Sequence, residues 1–321
     1  MILTLTPNPS VDATLSLDHA LERGQVQRLT GSESVAGGKG VNVSQAVVLA
    51  GMDSIAVFPT GKADRYLDLV GALGIPFESV EVDGAVRVNT AITEPDGTTT
   101  KLNGQGAFLD EDALARIEDV VVEKAADASW AVLAGSLPPG APTDWYAHLV
   151  AKLRSVYPQL RIAVDTSDAP LIELGAHFSQ AAPSLIKPNG LELGQLAGVD
   201  GQALEDEAEQ GNFGPVIEVA RKVITMGVEQ ILVTLGAAGA VLVTADQAFK
   251  ATPPPTKAVS TVGAGDSSLA GFIMAQELGQ SVADSLRQAV AYGSAAASLP
   301  GTTIPSPAQI NVAQTNVVEV N

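Results

Sequence analysis

Cysteine is absent from the 321 residues. That removes disulfides, thiol nucleophiles and cysteine-held metals, and it accords with a cytoplasmic address. The histidines, His19, His148 and His177, lack metal-ligand spacing. Aromatic residues supply only 4% of a chain that is 46% hydrophobic, so its core must be built from Ala, Val, Leu and Ile. Basic residues are scarce as well. Eighteen Lys and Arg against 36 Asp and Glu leave a net charge of −18, which disfavours nucleic acid and anionic membranes as partners. No apolar run approaches the ~18 residues of a membrane helix. The opening Met1-Ile2-Leu3-Thr4-Leu5-Thr6-Pro7 has no basic n-region and reads as a strand, not a signal peptide.

What is present alternates. Strand-like runs at Ile2–Thr6, Ser54–Phe58, Trp130–Ala134, Arg161–Val164, Leu185–Ile186 and Gln230–Leu235 interleave with helical segments such as Val41–Ala50 and Asp110–Ala126. That rhythm predicts an α/β fold with a mostly parallel sheet covered by helices on both faces. Two polar stretches with strand period and no helix, about 12–34 and 86–104, predict a small β-layer made by two insertions into one domain spanning 1–321. Glu205–Asn212 reads as an acidic surface loop.

Glycine-rich segments fall mostly where strands end, the edge at which doubly wound sheets collect ligands. In Thr261-Val262-Gly263-Ala264-Gly265-Asp266-Ser267-Ser268, two glycines permit a tight turn and the apolar run from Leu269 to Leu278 predicts a helix after it. A helix start presents unpaired N–H groups to an anion. Asp266 at that mouth either caps the helix or takes a proton from a hydroxyl about to be phosphorylated. In Gly37-Gly38-Lys39-Gly40-Val41-Asn42-Val43, glycines bracket a lysine before a helix, although the segment is not a Walker A loop and no dinucleotide fingerprint occurs. Asn189 and Glu192, after Lys187-Pro188, share one face of a starting helix. They form either a capping box or a holder for magnesium through water. Thr234-Leu235-Gly236-Ala237-Ala238-Gly239 reads as a tight turn between strands. Arg87, Lys101 and Lys257 complete the cations near these loops, and Asp12 is placed either to cap a turn or to accept from sugar hydroxyls.

Taken in order, Thr4 to Asp12, Gly37 to Val43, Gly135 to Gly140, Lys187-Pro188-Asn189 and Thr261 to Asp266 resemble the ribokinase-like carbohydrate kinases of the PfkB family. The similarity spans essentially the whole chain and is greatest to the bacterial branch that phosphorylates fructose 1-phosphate. The resemblance implies that Asp266 is the general base for the C6 hydroxyl, and that Gly263, Ala264 and Gly265 form the anion hole for phosphate transfer from ATP. It assigns Asp12, Gly38, Lys39, Asn42, Arg87, Lys101, Asn103 and Ser136 to the sugar phosphate. It assigns Lys187, Asn189, Glu192, Lys257 and Thr234 through Gly239, with Leu235, Gly236, Ala237 and Ala238 between them, to ATP. Glu192 would hold Mg2+ through water, with K+ as a further expected ion, and the β insertions would form a lid that pairs two subunits as a homodimer. Tagatose 6-phosphate or fructose 6-phosphate are the alternative acceptors, and a catalytically silent sugar-phosphate sensor is the different-class alternative. The chain departs from the family at Lys101-Leu102-Asn103-Gly104-Gln105-Gly106, where relatives carry a proline before the last glycine. It departs again at Thr60-Gly61-Lys62-Ala63-Asp64, an unusual form of a glycine-and-aspartate segment.

Overall fold

A computed structural model of the protein describes residues 1–320. The chain begins β1 (Ile2–Leu5), β2 (Ser10–Ser16), β3 (Gly31–Gly37), α1 (Lys39–Leu49), β4 (Ser54–Thr60), α2 (Arg65–Ala72), β5 (Phe77–Glu81), β6 (Arg87–Thr93) and β7 (Thr99–Asn103). It continues α3 (Glu111–Ala125), β8 (Trp130–Ala134), α4 (Trp145–Val156), β9 (Arg161–Asp165), α5 (Asp168–Ala176), α6 (Phe178–Ala181) and β10 (Leu185–Ile186). Three helices follow, α7 (Gly190–Ala197), α8 (Gly201–Glu209) and α9 (Gly214–Ile224). The last elements are β11 (Gln230–Thr234), β12 (Ala240–Thr244), β13 (Ala248–Thr252), α10 (Ala264–Glu277), α11 (Val282–Ala297) and β14 (Asn316–Glu319).

The large sheet has the order β14-β13-β12-β11-β10-β9-β8-β1-β4-β5. It is parallel from β11 to β5, and three antiparallel strands close the other edge. From β1 the chain first builds toward β5 and then returns to build from β8 outward, so the topological switch lies between β1 and β8. Alternate residues of each strand feed two cores. Leu3, Leu5, Leu133, Ile162, Val164 and Val233 face a core shared with α3, α4 and α9. Ile2, Trp130, Val132, Ala163 and Leu232 face one shared with α1, α10 and α11. Each fully buried aliphatic side chain of this kind contributes about 1.5–3 kcal/mol. Among the described residues no helix is long and apolar enough to cross a membrane.

β3, β2, β6 and β7 form a separate four-stranded sheet. Its strands come from the two polar stretches noted in the sequence, and residues 17–30 between β2 and β3 are loop, not strand. Glu205–Asn212 is a correction: through Glu209 it belongs to α8. Asp200 caps that helix by accepting from the Gln202 and Ala203 N–H groups, and Leu204 and Ala208, four residues apart, are buried. Only two apolar residues anchor α8, too few to stand out among its acids.

Candidate active site

The turn before α10 is built as its glycines suggest. Gly263 is the N-cap in a left-handed conformation (φ 78°), which an L side chain rarely adopts, and Ser267 N–H donates the first helical bond to its carbonyl. The helix has no side-chain cap. Asp266 therefore does not cap it, which removes the simpler of the two sequence readings. Of the three amides expected to form the anion hole, that of Ala264 is used within the turn. Ala264 N–H turns back to Thr261 O at 3.3 Å, and the first-turn amides of Gly265 and Asp266 lie ahead of the first intrahelical bond, free for an anion.

Asp266 is buried, and its Oδ2 accepts from Asn42 Nδ2 at 2.8 Å, joining α10 to α1. Burial raises its pKa above the ordinary 3.8. Lys39 opposes that shift and the charge of Asp165 reinforces it. Asp165, at the end of β9, is fully buried between two lysines. Lys39 Nζ donates to its Oδ1 at 2.9 Å, and Lys187 Nζ lies 3.2 Å from Oδ2 in ionic contact. Burial alone would raise Asp165, but the two ammonium groups outweigh it and hold the carboxyl below its ordinary value. Burial likewise disfavours the charged form of Lys39, yet Asp165 and Asp266 keep it firmly protonated. A Cβ on Gly265 would sit 3.1 Å from Lys187 Nζ, so that lysine underlies the glycine turn. Asp165 was missed in the sequence, where it appears only as a strand-ending acid.

The small sheet supplies the facing wall. Ser10 pairs with Arg87, Asp12 with Asn89, Asn89 with Asn103 and Ala91 with Lys101. Opposed residues share a face and alternate residues return to it, so Asp12, Arg87, Asn89, Lys101 and Asn103 form one polar row. Asp12 accepts from Ser10 Oγ at 2.8 Å and from Asn89 Nδ2 at 3.1 Å. Burial still raises its pKa against those bonds and the charge of Arg87. Asn89 is a second residue the sequence reading missed; only strand register puts it there. Arg87 donates to Asn8 O at 3.2 Å and to Ser136 Oγ at 3.4 Å. Burial depresses its pKa, and its Nε is buried without a partner among the described residues. At the departure near Lys101, Gln105 replaces the usual proline and its carbonyl accepts from Asn8 Nδ2 at 3.1 Å. Gly38 (φ 128°) lies against Thr6 and serves the loop conformation at the start of α1.

A cavity of about 700 Å3 opens on the other side of the turn, lined among others by Asn189, Thr234, Gly236, Ala237, Gly265 and Ser268. Asn189 and Glu192 make a complete capping box: Glu192 N–H donates to Asn189 Oδ1 at 2.7 Å, and Asn189 N–H to Glu192 Oε2 at 2.9 Å. Burial raises the Glu192 pKa, opposed by the Asn189 N–H bond. Glu205 lines the same cavity and accepts from Gly190 N–H at 3.1 Å, so the stretch read as a plain surface loop carries a cleft residue. Five residues expected on the nucleotide side do not line the cavity: Lys187, held on Asp165, Glu192, closed into the capping box, and Leu235, Ala238 and Lys257. Leu235 turns into the core, its N–H donating to Gly239 O, and Ala238 packs against the same core, which leaves Thr234, Gly236, Ala237 and Gly239 on the cleft. Lys257 lines a neighbouring groove with Gln309, Asn311 and Gln314 instead of the cavity, because the Pro253–Thr256 loop separates the two.

A parallel sheet switching direction at β1, a glycine turn with free amides and a buried carboxylate beside lysines define a phosphoryl-transfer scaffold. The pattern of the pfkB family carbohydrate kinases matches residues 6–309. The chain is 34% identical over 320 residues to 1-phosphofructokinase of Haloferax volcanii, covering 99% of this chain and 97% of that one. It is 30% identical over 309 residues to ATP-dependent 6-phosphofructokinase isozyme 2 of Escherichia coli, covering 95% of each. The solved phosphofructokinase-2 of Escherichia coli in complex with potassium superposes with a TM-score of 0.85 at 29% identity over 96% of both chains. The tetrameric inhibited form of that enzyme superposes at 0.82, with 29% identity over 94% of this chain and 95% of that one. The chain belongs to the PfkB family and is a ribokinase-like sugar kinase.

Proposed function

We propose that this kinase transfers the γ-phosphoryl group of ATP to the C6 hydroxyl of fructose 1-phosphate, giving fructose 1,6-bisphosphate and ADP. The observation that carries the reading is the position of Asp266, buried under the free amides of the glycine turn and flanked by Lys39 and Asn42. Asp266 takes the hydroxyl proton as the sugar oxygen bonds to the γ-phosphorus, and the bond from that phosphorus to the β,γ-bridging oxygen breaks. The Gly265 and Asp266 amides, with Lys187 beneath them, stabilise the charge on the phosphoryl oxygens. Asp12 and Asn89 hold sugar hydroxyls, while Arg87 and Lys101 on the same polar row, with Lys39 at the start of α1, hold the existing phosphate. A neutral sugar would leave Arg87, already half-buried, with Asp12 alone to offset its desolvation.

Magnesium would enter with the nucleotide. Among the described residues no cluster of three carboxylates or histidines could hold a metal unaided, but Mg2+ carried by phosphates needs only one or two carboxylates and water. Glu192 fits that donor set, being half-buried with Oε2 tied to Asn189 N–H and Oε1 left over. Bound there through water, the ion would neutralise charge on the transferring phosphate. A monovalent cation is part of the same reading, supported by the relative solved in complex with potassium. The lid role of the small sheet and a cytoplasmic site of action belong to the same reading. A homodimer through the sheet's other face is supported by Val88 and Leu102, 49% and 57% exposed there. The Escherichia coli relative also has a tetrameric inhibited form, a higher assembly than this dimer.

The second reading keeps the chemistry and changes the acceptor, since the 6-phosphofructokinase relative covers the chain almost as fully. A coupled ADP-release assay with MgATP decides between them by comparing kcat/KM for fructose 1-phosphate, fructose 6-phosphate and tagatose 6-phosphate. Preference for fructose 1-phosphate by about tenfold, equivalent to about 1.4 kcal/mol of transition-state binding, is the expected result. Preference for a 6-phosphate reassigns the acceptor, and binding without any turnover returns the silent sensor. Lys39→Ala is expected to raise KM for the sugar phosphate far more than KM for ATP. Equal effects would move Lys39 to the nucleotide side, where Glu192 also acts on its ammonium.

A further inference from the structure

The Thr60–Asp64 segment departs from the family pattern and takes no part in the proposed reaction, yet its last residue and Tyr66 bond to the ends of two strands of the small sheet, β6 and β3. Asp64 is the N-cap of α2 and uses both carboxylate oxygens. Oδ1 accepts from Tyr66 N–H at 2.8 Å, which caps the helix, and Oδ2 accepts from Val86 N–H at 2.8 Å, at the root of β6. Two residues on, the hydroxyl of the fully buried Tyr66 donates to Gly37 O at 2.7 Å, where β3 ends and the chain enters α1. A Cβ on Gly37 would collide with the Asp12 carboxylate, so the carbonyl that Tyr66 holds belongs to backbone lying against that sugar-facing carboxylate.

We propose that Asp64 and Tyr66 are positioning residues for the sugar phosphate, a double clamp that fixes the roots of β3 and β6 to the body of the protein. β2, with Asp12, lies between those two strands and pairs with both, so holding their roots fixes Asp12 relative to Arg87. The support beneath is stiff. The Tyr66 ring meets Phe58 edge-on at 5.1 Å, and Val70 and Ile75 pack in the same cluster. Burial first, then the charges of Asp12 and Asp64, keep the phenol protonated and therefore a donor. Capping alone does not call for an aspartate here, because Ser or Asn caps a helix as well. A second acceptor oxygen is needed only for Val86. No comparable bond runs from this pair to the nucleotide cavity, so loosening it should be felt on one substrate.

The inference rests on the sugar-phosphate reading above, and its test separates the two. Asp64→Ser keeps a capping oxygen but removes the acceptor for Val86, and Tyr66→Phe removes only the hydroxyl. In each variant KM for fructose 1-phosphate should rise about tenfold while KM for ATP stays within about twofold, misplacement of a reactant being what such a clamp prevents. Calorimetric binding of fructose 1-phosphate should weaken by the same factor, which reads the clamp without turnover. Both KM values rising together, or neither moving while only the unfolding midpoint falls, would overturn the proposal and leave a purely structural role. Absence of turnover by the unaltered protein counts against the proposed reaction instead, and absence of sugar-phosphate binding by it counts against both.

Discussion

Asp266→Asn is expected to lower kcat about a thousandfold, within the usual range for loss of a general base, while ATP and sugar-phosphate binding persist. The replacement is isosteric, and its amide oxygen can still accept from Asn42 Nδ2, so the geometry that joins α1 to α10 survives. What disappears is an oxygen able to take a proton. The pH profile of the unaltered enzyme supplies an independent check. Because burial holds the Asp266 pKa above 3.8, kcat/KM should fall on the acid side through a midpoint higher than an ordinary carboxylate's. The sign for stability runs the other way. A carboxyl with a raised folded pKa favours the fold when protonated and weakens it as pH rises through that value. The asparagine variant should therefore unfold at an unchanged or higher temperature, which separates lost chemistry from lost structure. Near-normal turnover in this variant would sink the general-base assignment.

Asp165→Ala should cost about 3–5 kcal/mol of stability, the range seen when one partner is removed from a buried ion pair. The reason lies in what stays behind. Lys187, whose side chain is 6% exposed, loses its carboxylate and is shielded from bulk solvent, while Lys39, at 35%, can partly rehydrate. Asp165→Asn should cost less, since an amide oxygen can still accept from Lys39. With the Asp165 charge gone, Asp266 also loses a repulsive neighbour, so the acid limb of the rate profile should move to lower pH. For the unaltered protein the linkage has the opposite sign to that of Asp266. The folded Asp165 pKa is depressed, so its contribution is complete above the unfolded value and is lost as pH falls through the folded one. Equilibrium urea unfolding of both variants checks this. A loss below about 1 kcal/mol in the alanine variant would mean that the lysines find other partners or water.

Local features of this molecule were legible along the chain because their causes are local. Gly263 needs a left-handed backbone, Asp110 caps α3 within three residues, and buried strands such as Trp130–Ala134 are continuous apolar runs. Strand and helix alternation carried the two-faced sheet, and the two polar stretches at strand period carried the separate small one. The choice between cap and base for Asp266 could not be made from its neighbours. The cap was excluded by Gly263 taking that position itself, while the base role is the proposal made above, for a carboxylate that accepts from Asn42, 224 positions away.

Other residues had no local sign at all. Asp165 ends a strand as many acids do, and only the crossovers that lay β9 beside β10 and the α1 loop put two lysines on it. Asn89 joins Asp12 through strand register, which a shift of one residue would have reversed. Glu205 reaches the cavity beside the glycine turn because two buried apolar residues suffice to seat α8 there, and the Pro253–Thr256 loop keeps Lys257 out of it. By itself the sequence determined which segments turn, which bury, and which chemistry the glycine turn can serve, since φ preference and apolar spacing act over a few residues. Tertiary structure alone decided which charges meet, because the distance between two side chains on different elements depends on sheet order and register, and neither is written in the residues that meet.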